Sequence, residues 1–66
     1  MAQHLLARAM QAVFSSFMHG HTECRIHGIT LHIQHAHDDN FQVLLPDHTE
    51  LFRIVGTKRN ARIFAV

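Results

Sequence analysis

A single cysteine, a single proline, three glycines and no tryptophan or tyrosine mark this chain of 66 residues. Each shortage excludes something. With Cys24 alone, no disulfide forms within the chain. A lone thiol fits a reducing compartment, so a cytoplasmic protein is expected. Three glycines give no material for a phosphate cradle, and G-x-x-x-x-G-K, G-x-G-x-x-G and G-x-S-x-G are all absent. No run approaches 18 apolar residues, so no membrane span is expected. The chain is also too short for a paired Rossmann unit, a TIM barrel or a hydrolase fold, which take roughly 100–250 residues. A self-contained active site is therefore not expected, and the reading is of a protein that is not an enzyme.

What is present is globular in character. Hydrophobic residues make up 47% and charged residues 17%, with a net charge of +1; disorder goes with low hydrophobicity and high net charge. In so short a chain one core rarely supplies more than roughly 3–5 kcal/mol net. Small proteins offset that shortfall with disulfides, a metal or a partner subunit. Here the last two remain open.

The hydrophobic pattern gives the elements. Leu6, Met10, Val13, Phe14 and Phe17 recur at steps of three and four, opposite Arg8, Gln11 and Ser15, which predicts an amphipathic helix over about 3–18. Gly20 is its expected cap, and His19 complements the helix dipole when charged. A positive charge in mid-segment (Arg8) and no small-residue cleavage site argue against a signal peptide. After Gly20 the period falls to two. Strands are expected at about 22–27, 29–35, 41–45, 50–55 and 61–66. A two-residue loop at His27-Gly28 pairs Ile26 with Ile29, Cys24 with Leu31 and Thr22 with Ile33 on one face. The other face then pairs Arg25 with Thr30 and Glu23 with His32. Pro46 ends the third strand, and Pro46–Thr49 turns the chain. The predicted fold is α+β: one domain over 1–66, with the helix packed on an antiparallel meander of four or five strands.

Alternation sets Phe52 and Ile54 inward and puts Leu44, Leu51, Arg53 and Val55 on the solvent face. That surplus of apolar residues outside implies a covering partner, in so small a chain a second copy. Charge is divided too. Residues 37–50 carry Asp38, Asp39, Asp47 and Glu50 with no Lys or Arg; residues 51–66 carry Arg53, Lys58, Arg59 and Arg62 with no acid. The leading expectation is a non-enzymatic, homodimeric interaction protein: an inhibitor, adaptor or assembly subunit, of the kind common among phage and mobile-element accessory proteins. Its expected contact residues are Leu44, Leu51, Val55, Arg53, Lys58, Arg59 and Arg62. The alternative is nucleic-acid binding through Lys58, Arg59 and Arg62 on the last hairpin, against which stand the small net charge and the lack of Trp or Tyr to stack on bases.

Eight histidines are the oddest component. His19, His21 and Cys24 fall as H-x-H-x-x-C. His35 and His37 alternate onto one side of a strand and Asp39 follows, a set that suits zinc and gives a second alternative, a small metal-binding protein. The same run, H-x-H-x-D, resembles the start of the metallo-β-lactamase motif, but Asn40 stands where the next His belongs and the chain has no room for that scaffold. If histidines are buried neutral in an interface, stability falls as pH drops through about 6.5. Cys24 falls on the inward face of its hairpin, where a thiol is an inert small hydrophobe.

Overall fold

The computed structural model describes residues 2–66, with side chains from Leu5 onward. Helix α1 (Ala2–Met18) precedes five strands: β1 (Glu23–Ile26), β2 (Ile29–His37), β3 (Asn40–Leu44), β4 (Glu50–Val55) and β5 (Arg62–Ala65). They form one antiparallel sheet in the order β1-β2-β3-β4-β5. This is the expected α+β meander. The sheet curls around α1, which touches both edge strands, β1 and β5.

The helix ends as its sequence dictates. The His21 N–H donates to Ser16 O at 2.9 Å and the Gly20 N–H to Phe17 O at 3.0 Å, the paired bonds of a Schellman cap. His19 lies one residue past the helix; its backbone N–H donates to Ser15 O at 3.1 Å and its Nδ1 adds a second bond to the same carbonyl at 2.8 Å. Along α1 the buried stripe is shorter than the pattern. Val13 and Phe17 are buried, and Ala9 and Met10 pack against the core, but Leu6 is exposed.

The first hairpin keeps the expected register: Glu23 opposite His32, Cys24 opposite Leu31, Arg25 opposite Thr30 and Ile26 opposite Ile29. Its turn residues His27 (φ 50) and Gly28 (φ 78) are both left-handed, the requirement of a type I′ turn, whose twist matches the flanking strands. At the β3–β4 connection the His48 N–H donates to Leu45 O, and Asp47 Oδ1 accepts from the Thr49 N–H at 3.0 Å. That bond holds the Asp47 carboxyl below its ordinary range.

Two irregularities depart from simple alternation. In β2, His35 pairs with Phe41 and His37 with Asn40, so Ala36 is an extra residue. In β4, Val43 pairs with Phe52 but Leu44 pairs with Glu50, so Leu51 is extra. Such a bulge turns two successive residues toward one side. Leu51 consequently packs against the core with Phe52 and does not stand on the solvent face. The core is Val13, Phe17, Cys24, Leu31, Ile33, Val43, Phe52 and Ile54, with Val13, Val43 and Ile54 fully enclosed. Phe17 meets Phe41 edge-on at 4.9 Å. Cys24 is a free thiol within this core, in keeping with its inward parity.

Candidate functional site

Two surfaces carry the residues that the sequence singles out. One is the outer face of the sheet beside β5. Register places Gln34, Gln42, Arg53 and Phe64 in one row across β2 to β5. A parallel row runs Asn40, Val55 and Arg62. Phe64 is 50% exposed, Val55 38% and Val66 69%, which leaves an apolar group on this face with Arg53 and Arg62 beside it. β5 has no strand on its other side.

The expected contact set is thus divided. Val55, Arg53 and Arg62 share the outer face near β5. Leu44 also belongs to the outer side of the sheet, but it is 6% exposed, flanked by His32 on β2 and Glu50 on β4. Leu51 lies on the core side. Neither leucine is open surface. Glu50 is held by Arg53, whose Nε and Nη2 donate to its two carboxylate oxygens at 3.2 and 2.8 Å. The guanidinium pulls the Glu50 carboxyl below its usual value, and the carboxylate raises Arg53 in return. Phe64 and Val66 were not among the contact residues expected from sequence. Their signal was their opposite parity to Ile63, an inward residue that pairs with Ile54.

The basic hairpin does not present one stripe. Arg62 stands on the outer face opposite Val55. Arg59 is exposed in the β4–β5 loop. Lys58 turns toward the helix end, where Nζ lies 3.4 Å from the position a Cβ on Gly20 would occupy.

The second surface is a cleft of about 430 Å³ at the C-terminal end of α1. Phe17, Ile33 and Phe41 line it with apolar surface; His35, Asp39 and Lys58 line it with polar groups. Its wall is fastened by the Gly56 N–H, which donates to Asp39 O at 2.8 Å and ties the β2–β3 turn to the β4–β5 loop. Gly56 has no substitute there, because a Cβ would stand 2.7 Å from Asn60 O.

The histidines take other roles than those expected. Among the described residues no three His, Cys, Asp or Glu side chains converge to hold a metal ion. His35, His37 and Asp39 are separated by the Ala36 bulge and the left-handed Asp38 (φ 50), which break the alternation that the zinc reading assumed. His35 Nε2 is already engaged, donating to Asp38 O at 2.6 Å, and its ring lies 5.0 Å from that of Phe41. His19, His21, His27, His32, His35, His37 and His48 are all exposed in the single chain; the His4 side chain lies outside the described residues.

Among the described residues, no helix is long and apolar enough to cross a membrane. Comparison with known protein families, curated proteins and solved structures finds no match for this chain.

Proposed function

We propose that this chain is a non-enzymatic protein-binding module that works as a homodimer, joined edge to edge through β5. The observation that carries the reading is the exposed group Val55, Phe64 and Val66 beside a strand edge that has no partner. Unpaired edges are templates for another strand, and folds usually blunt them with charge, proline or brevity. β1 is blunted by the outward Glu23 and Arg25. β5 carries one charge, Arg62, and no proline.

Charge supports a second copy as the occupant. In antiparallel pairing of β5 with its own copy, Phe64 opposite Phe64 sets Arg62 opposite Val66, so like charges do not meet. The start of β5, with Arg59 and Arg62, then lies beside the end of β5 in the other copy. That end adjoins the start of β4, since the Val66 N–H donates to Leu51 O at 3.0 Å. Glu50, already paired with Arg53, precedes Leu51 in the chain, and Asp47 stands in the turn before it. Basic and acidic ends thus come together twice about the two-fold axis. A role as inhibitor, adaptor or assembly subunit would use the remaining surface of that dimer.

The test is light scattering and sedimentation across protein concentration. The expected mass is twice the chain mass of 7.6 kDa, weakening with salt, and Phe64→Asp should give single chains that stay folded. A wild-type chain that remains single at millimolar concentration would overturn the reading. Salt-sensitive binding of a labelled duplex, lost on charge reversal at Lys58 and Arg59, would favour the nucleic-acid alternative.

A further inference from the structure

We propose that the cleft at the end of α1 binds a small apolar zwitterion, of the class of a free aromatic or branched amino acid. This site stands on residues apart from β5 and does not depend on the dimer.

Three properties of the cleft point to that ligand. The first is size: about 430 Å³ lies within the range that small-molecule sites occupy. The second is its apolar lining. Phe17 and Ile33 are buried core residues, and Phe41 is half-buried beside them, so a ring or branched chain lodged here would extend the core. The third is its charge. Lys58 and Asp39 line the same cleft, yet they form no ion pair with each other; among the described residues the ion pairs are His32–Glu23 and Arg53–Glu50. One free cation and one free anion beside one apolar lining match a ligand that carries one carboxylate, one ammonium and an apolar body. A purely apolar solute would leave both charges unused, and a singly charged one would set its charge against the like charge of the site.

The backbone beside each charge is shaped. The Gly20 backbone has no side chain to displace Lys58 Nζ, and the Gly56–Asp39 bond fixes the turn that carries the carboxylate. His35 adds a wall whose ring orientation is set by its bond to Asp38 O.

The experiment is amide NMR titration of the isotope-labelled full chain with three probes: L-phenylalanine, 3-phenylpropionate and 2-phenylethylamine. Saturable shifts confined to the cleft amides, including Gly20, Phe41, Gly56 and Thr57, are expected. A charge-assisted contact contributes about tenfold or more in affinity, so L-phenylalanine should bind at least about tenfold tighter than either singly charged probe. Lys58→Met should remove its advantage over the amine, and Asp39→Asn its advantage over the carboxylate. Both side chains are exposed, so these variants should keep the wild-type melting curve. No saturable shift, shifts spread over the whole sheet, equal affinity for all three probes, or an unchanged ranking in the variants would each overturn the proposal.

Discussion

Leu44 faces Glu50 across the β3–β4 ladder, and Leu51 has no partner there. The extra residue turns Leu51 toward the core while Val55, four positions on, returns to the outer face. Leu51 is half-buried against the core, so Leu51→Ala should cost about 1–2 kcal/mol, below the range for a fully buried leucine. Val55→Ala should stay within about 0.5 kcal/mol in the isolated chain. Denaturant melts of the two variants check this, and equal effects would contradict the bulge.

The glycines of the first and last hairpins separate strain from collision. Gly28 is left-handed, but nothing lies within 4 Å of a Cβ added there. Gly28→Ala should cost about 1–2 kcal/mol, the price of left-handed backbone alone. Gly56 has φ 115 and would press a Cβ onto Asn60 O. Gly56→Ala should cost clearly more, about 3 kcal/mol or above once strain and overpacking combine. Urea midpoints on matched samples give the comparison.

Acid should weaken the Glu50–Arg53 pair in a definite direction. The folded pKa of Glu50 lies below the ordinary 4.5, chiefly through its hydrogen bonds from Arg53. Its stabilising contribution is complete above about 4.5 and is lost as pH falls through the lowered folded value. Thermal melts of the wild type and Glu50→Gln should differ near pH 6 and converge toward pH 3. Every other group is common to both proteins, so the difference between the curves isolates Glu50.

Cys24 provides a probe of opening. It is 8% exposed within the core. A thiol reagent should label it far more slowly than it labels the chain in denaturant, at a rate that follows the population of opened molecules. Labelling as fast as that of the unfolded chain would contradict its burial.

Much of this architecture is legible in the residues, for reasons that differ by region. The β1–β2 hairpin is readable because its two faces independently demand one register: a slip would turn Cys24, Leu31 and Ile33 to water. The bulge at Leu51 is not readable, because one inserted residue leaves alternation intact on either side of it. That is why Leu44 and Leu51 are expected outside, whereas one is covered and the other packs half-buried against the core. The cleft is harder still. His35, Asp39 and Lys58 each attract notice, the first two as metal ligands and the third as a hairpin cation. Only the curl of the sheet around α1 and the Gly56–Asp39 bond bring them to one place. Phe64 was hidden by a different ambiguity: in a terminal strand as short as Arg62–Ala65, alternation alone does not say which parity the edge will leave uncovered.

The contact of α1 with β5 sets the order in which the molecule can assemble. Every ladder joins strands adjacent in the chain, so each closes a short loop at small entropic cost and needs no distant search. Docking of α1 on β5 is the one step that must bring together elements far apart in the chain. Zipping of the strands should be fast and should tolerate longer turns. The slow, cooperative event should be this final closure, and substitutions on the helix face at Val13 or Phe17 should retard it more than equal losses within any hairpin.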